Sequence, residues 1–261
     1  MTDAFSAIDH IVLGVDDGDY SWEALDLARA VAGSVDAELH VFHATTDKVP
    51  DEVVRRASEA GVACRSSTTF PGGSGVARAL VDHTDDMSNA VAAVTSHARR
   101  GITAAMFGSN AAAVLEDTTN PVLLFGPHHS EAAPLTRVLA CIDGSDLSET
   151  ILPAACRWAR AAGVPLWLVH VVEPQVSAAG GAMDSNYVHR VAEDIDTDDL
   201  DIEFDVLHGD HPGESISSYA NAQSGPLTAL ATHGRTGVQS APVHGQARSV
   251  QADSPSSHCG R

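Results

Sequence analysis

The chain has 261 residues, 44% of them hydrophobic, and its 35 acidic against 15 basic residues give a formal net charge of -20. This length suits one large domain or two of ordinary size, and the charge disfavours binding to nucleic acid or docking on anionic membranes. No apolar run of transmembrane length and no signal-peptide pattern is visible, which predicts a cytoplasmic protein without membrane insertion.

The apolar pattern predicts alternating strands and helices along the first half of the chain. Strands are expected at residues 10–15, 37–43, 62–69, 89–95 and 122–125. Helices are expected at 20–32, 49–60 and 74–83, and another begins after residues 108–109. The second half follows the same order as far as residue 231. Such alternation predicts a parallel sheet covered by helices on both faces, with ligands at the carboxyl ends of the strands.

An internal repeat relates the two halves, because similar residues recur 127 positions apart. The matched pairs are Asp16 with Asp143, Ser21 with Ser148, and His43 with His170. We therefore predict two domains, residues 8–127 and 136–261, separated by a short polar linker that ends in proline.

Three segments of the second half resemble one known family. Residues 142–148 read Ile-Asp-Gly-Ser-Asp-Leu-Ser, residues 208–216 read His-Gly-Asp-His-Pro-Gly-Glu-Ser-Ile, and residues 231–237 read Ala-Thr-His-Gly-Arg-Thr-Gly. In this order they resemble the universal stress protein family, and weaker versions continue through the first half. The resemblance implies two tandem doubly wound α/β domains, adenine nucleotide alpha hydrolase-like or Rossmann-like. It also implies a stress-response regulatory or binding role without significant catalysis.

The same resemblance implies a site for ATP or AMP in the first half. ATP-binding members carry two glycines three positions apart and, after nine more residues, Gly-Ser or Gly-Thr. Here the early glycines are replaced by Thr95 and Ala98, so a Cβ stands where phosphate would approach, which predicts weakened binding. Arg99 and Arg100 in this loop suit phosphate, yet the alternative is a plain helix N-cap at Ser109 beside two solvated arginines. The candidate contacts are Asp16, Ala44, Thr95, Ala98, Gly108, Ser109 and Asn110.

The second half departs further from that pattern. Ala231 replaces the first glycine, ten residues instead of nine precede the last glycine, and Gln246 replaces the hydroxyl residue. The weaker candidate contacts there are Asp143, Val171, Gly234 and Gly245. After Pro255 a polar tail stands in place of the closing strand of the family, which predicts that the second domain lacks its last strand. The edge of strand 122–125 would then need another chain, which favours a homodimer.

The remaining side chains predict no catalytic or metal centre. The equivalent histidines His97 and His233 have no evident base or nucleophile beside them, and the other histidines lack ligand spacing along the chain. The four cysteines, which lack CxxC spacing, are expected to be reduced thiols: Cys64, Cys141, Cys156 and Cys259. Lys48 is the only lysine, and an acidic, lysine-poor composition indicates a halophilic, haloarchaeal protein. A nucleotide-free scaffold for an unknown protein partner and a nucleotide hydrolase remain as alternative functions.

Overall fold

A computed structural model describes residues 7–68, 73–96, 109–126, 132–172, 181–195, 199–231 and 248–252. The strands are β1 His10–Gly14, β2 Glu38–Thr45, β3 Ala63–Thr68, β4 Ala90–Thr95, β5 Val122–Phe125, β6 Arg137–Ile142, β7 Leu166–Val172, β8 Ile202–His208, β9 Pro226–Ala231 and β10 Arg248–Ala252. The helices are α1 Asp19–Glu23, α2 Leu25–Ser34, α3 Asp51–Glu59, α4 Gly73–Asp85, α5 Ser109–Asp117, α6 Asp146–Glu149, α7 Leu152–Ala162, α8 Gly181–Asp194 and α9 Pro212–Asn221. None of these helices is long and apolar enough to cross a membrane.

The strands form one sheet in the order β3-β2-β1-β4-β5-β10-β9-β6-β7-β8. Five parallel strands of the first half and four of the second, β6 to β9, have helices interleaved between them in sequence. The predicted α/β, doubly wound parallel-sheet fold is confirmed. In each half the chain order reverses beside the first strand, at β1 and at β6, and such a switch point leaves a crevice at the carboxyl ends of the strands.

The short strand β10 lies between the two halves. It pairs in parallel with β9 and antiparallel with β5, where Val250 lies opposite Leu123. The sequence predicts that the edge of β5 pairs with another chain. In the structure β10 of the same chain pairs with that edge instead. Arg248–Ala252, upstream of Pro255, takes the closing position of the second half, because its extended backbone satisfies the edge groups of both neighbouring strands. The predicted polar tail after Pro255 lies outside the described residues.

One continuous core lies on one face of the sheet and crosses from the first half to the second. It contains Leu27 and Val31 of α2 together with Trp158 of α7, all nearly or fully buried. Two smaller cores on the opposite face belong to one half each. Hydrogen bonds also join the halves: the Leu135 N–H donates to Ser34 Oγ at 2.9 Å, and the Arg157 guanidinium donates to the carbonyl oxygen of Ala7. The two halves therefore share most of their buried apolar surface.

Candidate functional site

The loop after β1 positions an exposed aspartate at the carboxyl edge of the first half. Asp16 Oδ1 accepts hydrogen bonds from the Gly18 N–H at 2.9 Å and from the Ser21 hydroxyl at 2.7 Å. The Asp16 N–H in turn donates to Ser21 Oγ at 3.1 Å, and Ser21 is buried in the first turn after the loop. Because two different groups bind Oδ1, the carboxylate is held in one orientation beside the switch point.

The second half repeats this arrangement with serine in place of glycine. Asp143 Oδ1 accepts from both the N–H and the hydroxyl of Ser145, and the Asp143 N–H donates to Ser148 Oγ at 3.1 Å. The Ser145 side chain also caps α6 by accepting from the Ser148 N–H. Burial raises the pKa of Asp143, but the hydrogen bonds from Ser145 and Ser148 outweigh it and leave this pKa below its usual value. The carboxylate is thus ionised at neutral pH.

A buried histidine supports each of these aspartate loops from the neighbouring strand. His43 Nδ1 lies 3.0 Å from the carbonyl oxygen of Val15, and His170 Nδ1 lies 2.9 Å from that of Ile142. Since a carbonyl oxygen only accepts, each Nδ1 carries a proton and donates it to this hydrogen bond. The other ring nitrogen, Nε2, takes no part in the bond. The sequence marks both histidines as repeat positions but does not place them at the site. Their supporting role depends on strand pairing, which no short motif reveals.

The fold that carries these loops is shared by known structures. Residues 134–257 match the universal stress protein family. A universal stress protein from Archaeoglobus fulgidus superposes with a TM-score of 0.65 at 16% identity, covering 94% of this chain and 98% of that one. A functionally unknown protein from Pseudomonas aeruginosa gives a TM-score of 0.56 at 14% identity, with 96% and 94% covered. The cytoplasmic domain of a prokaryotic cation chloride cotransporter gives 0.52 at 11%, with 94% and 95% covered. At such identities these likenesses show the fold alone, and no curated protein sequence matches.

The structure places the described candidate contacts of the first half along one edge of its sheet. Ala44 lies near the end of β2, and Thr95 is the buried last residue of β4. The described part of helix α5 runs Ser109–Asp117, where the sequence predicts a helix after residues 108–109, and Asn110 is exposed. With Asp16 after β1, these positions surround the carboxyl ends of β1, β2 and β4. Ala98 and Gly108 lie outside the described residues.

In the second half, which carries the universal stress protein match, Val171 lies partly buried near the end of β7, beside the Asp143 loop. Gly234 and Gly245 lie outside the described residues. The helix that the sequence expects after β9 also falls there. The described part of this edge therefore consists of Asp143, its serine partners, His170 and Val171.

The two edges differ most in the side chains that flank the aspartate. In the first half, the Trp22 indole N–H donates to the Asp16 carbonyl oxygen at 3.0 Å, and the Arg56 guanidinium lies 5.6 Å from the Trp22 ring centroid. Arg56 also pairs with Asp19 and with Glu52. Because these two carboxylates balance the charge of Arg56, the indole ring is the group here that suits a nucleotide base.

The second half carries a phenol and a carboxylate at this place instead. Tyr187 donates from its hydroxyl to Glu149 Oε1 at 2.9 Å, and its ring packs edge-on against His170 with centroids 5.4 Å apart. Burial, and then the bond to Glu149, raise the pKa of Tyr187 to about 12, so it remains a neutral donor. Glu149 occupies the position equivalent to Trp22, 127 residues on. At this position the second half thus carries a carboxylate, which disfavours an anionic ligand beside it, where the first half carries an indole ring.

Three of the four cysteines are described, and all three are free thiols, consistent with the predicted reduced state. Burial raises the pKa of Cys141 to about 12 and raises that of Cys64 and Cys156 as well. A thiol with a raised pKa is a poor nucleophile at neutral pH, so none of the three is suited to attack a substrate.

Proposed function

We propose that the chain is a tandem universal stress protein, a cytoplasmic stress-response regulatory or binding protein that holds ATP or AMP in its first half without significant turnover. The observation that carries this proposal is the hydrogen-bonded Asp16 loop at the carboxyl edge of β1, which faces the switch point where α/β folds bind ligands. The family match supports it in the second half, where the same loop geometry recurs.

The first half offers one group for each part of such a ligand. The Asp16 carboxylate suits the hydroxyls of a ribose, and the Trp22 ring beside it offers an apolar face. The sequence predicts that α5 starts at the glycine-serine pair 108–109, and the free N–H groups of a helix start hold anionic oxygens. Binding at the loop after β4 would change the conformation offered to a partner protein, and so couple nucleotide to partner affinity.

The proposal predicts that nucleotide accompanies the purified protein. The wild-type chain and a Gly108→Val variant are purified in molar salt, and nucleotide released by denaturation is measured by mass spectrometry. Near-stoichiometric ATP or AMP is expected from the wild type and about tenfold less from the variant, because the resemblance implies that this glycine leaves room for phosphate. Gly33→Val is the matched control, since a side chain at Gly33 in α2 meets nothing within 4 Å.

The absence of nucleotide in every sample, with folded protein that also fails to bind added ATP, contradicts the proposal. That result favours the second candidate function, a nucleotide-free scaffold on which a partner protein docks, which the altered residues Thr95 and Ala98 already favour. Metal-dependent release of phosphate from added ATP would instead identify a nucleotide hydrolase. A monomeric mass by light scattering on the same sample would contradict self-association into a homodimer.

We also propose that the chain works in concentrated salt, as a haloarchaeal protein would. With a formal net charge of -20, repulsion within the folded chain is large at low ionic strength. Raising KCl from about 0.15 M to about 1 M shortens the screening length from about 8 Å to about 3 Å, so the midpoint of thermal unfolding is expected to rise. Sucrose, which stabilises without screening, is the control that separates charge repulsion from general exclusion effects. A midpoint that is flat or falls with KCl would contradict salt adaptation.

A further inference from the structure

Two histidines and a glutamate converge at the amino-terminal edge of β1 and β2, across the sheet from the Asp16 loop. His10 Nδ1 lies 3.1 Å from His40 Nε2, and Glu38 Oε2 lies 3.7 Å from the former and 3.6 Å from the latter. The three ligand atoms all lie within 4.8 Å of one another. Within the described residues this is the one such group of three potential metal ligands.

Strand pairing brings these residues together although they are far apart in the chain. In the parallel pairing of β1 with β2, His10 lies opposite Glu38 and Val12 lies opposite His40. Alternate residues of a strand share a face, so His10, Glu38 and His40 all project from the same face. Because all three ligands belong to strands, the position of their side chains is set by the backbone of the sheet.

A hydrogen bond between His10 Nδ1 and His40 Nε2 at 3.1 Å accounts for two of the three atoms but leaves Glu38 without a role, whereas one bound ion accounts for all three. At 3.6 and 3.7 Å the Glu38 oxygen is too distant to accept a hydrogen bond from either imidazole. Tetrahedral zinc, with bonds of about 2.0–2.2 Å, separates neighbouring ligand atoms by roughly 3.3–3.5 Å. The observed triangle of 3.1, 3.6 and 3.7 Å has this size.

We propose that His10 Nδ1, Glu38 and His40 Nε2 bind a divalent transition-metal ion of the zinc class. Two imidazole nitrogens and one carboxylate suit zinc, whereas calcium and magnesium prefer all-oxygen ligands. The His40 side chain is 2% exposed and closes the inner side of the site, while Glu38 at 61% leaves the outer side open to a fourth ligand such as water. The ion would link the starts of β1 and β2.

The second half carries a positively charged side chain at the equivalent amino-terminal edge of its own strands. At the equivalent positions, 127 residues on, stand Arg137, Pro165 and Trp167. There the Arg137 guanidinium lies 5.0 Å from the centroid of the Trp167 ring. One half thus carries a permanent cation over an aromatic ring, and the other carries three ligands for a cation. The second half lacks the ligands and serves as an internal reference.

The test uses the full-length chain, freed of metal with a chelator and returned to metal-free buffer. Zinc is titrated in competition with a chromophoric chelator, and cobalt is titrated as a spectroscopic substitute. The wild type is expected to bind one tight equivalent with the visible absorption bands of four-coordinate cobalt. Glu38→Gln and His10→Gln are expected to weaken that equivalent at least about tenfold and to remove the bands. Both positions are solvent-accessible, so these variants avoid disrupting the buried His40.

Two exposed residues of the second half provide matched controls, Glu203→Gln and His189→Gln. They should keep the tight equivalent, and circular dichroism should show all four variants folded. Unchanged binding in Glu38→Gln and His10→Gln would overturn the proposal, because the ion would then lie elsewhere. Failure of the wild type to bind zinc or cobalt would also overturn the proposal. The three side chains would then be a polar cluster without a metal. Neither outcome bears on nucleotide binding, which concerns the opposite edge.

Discussion

Replacing Gly225 with alanine is expected to lower the free energy of unfolding by about 2–5 kcal/mol. Gly225 has φ +62°, a left-handed conformation that costs an L-residue roughly 1–2 kcal/mol. A Cβ there would clash with the carbonyl oxygen of Pro134, so backbone must move as well. The carbonyl of Gly225 accepts from the Thr136 N–H at 3.0 Å, and Thr136 leads into β6. The shift would therefore disturb the start of a central strand.

Gly163→Ala is the matched control for this prediction. Gly163 ends α7 with the same φ of +62°, but a Cβ there meets nothing within 4 Å. Gly163→Ala is expected to lower the free energy of unfolding only by the cost of the left-handed backbone conformation, roughly 1–2 kcal/mol. Urea unfolding followed by circular dichroism measures both variants. Equal losses would show that the contact with Pro134 relaxes freely and that only the backbone conformation matters.

Replacing Trp158 with alanine is expected to cost about 3–5 kcal/mol and to destabilise both halves together. Trp158 is 1% exposed and belongs to the core that crosses from α2 and β1 to α7 and β6. Removal of so large a side chain leaves a cavity that the surrounding packed strands can fill only in part. Because the cavity opens into the shared core, the first half loses packing although the substitution lies in the second.

The variant carries its own reporters, since it leaves Trp22 in the first half and Trp167 in the second. Fluorescence of Trp158→Ala combined with Trp22→Phe follows the second half, and the combination with Trp167→Phe follows the first. Coincident urea transitions, both shifted from those of the parents with Trp158, are expected. A shift confined to the second half would show that the halves unfold separately. Leu139→Ala is a useful comparison, because its smaller core on the other face lies within the second half.

Local patterns were enough to predict most elements of the first half. Strand 122–125 was predicted with its observed bounds, and a helix was predicted after residues 108–109, where the described part of α5, Ser109–Asp117, lies. The helix predicted at 20–32 is divided at Ala24, whose N–H bonds back to the Trp22 carbonyl and ends α1. Apolar spacing continues through such a break, because both helices bury the same face, so periodicity alone cannot detect it.

Relations between distant segments were harder to predict. The sequence suggested no metal ligands because His10 lies 30 residues from His40, and only the register of β1 on β2 brings them together. Strand β10 carries Arg-Ser-Val-Gln-Ala, a short stretch with a single strongly apolar residue, and its pairing with β5 joins residues that are about half the chain apart. The roles of His43 and His170 likewise follow from strand neighbours and not from a motif.

The antiparallel contact between β5 and β10 gives the molecule two opposed ends. Since the strands of the first half run against those of the second, the carboxyl edge of one half lies on the same side as the amino edge of the other. Asp16 and Asp143 therefore lie at opposite edges, separated by about a strand length along the strands and by five inter-strand spacings, roughly 24 Å, across the sheet. No single small ligand can span them. Two macromolecules docked on these two ends would be held apart by the sheet. The protein would then act as a rigid connector with two chemically different ends.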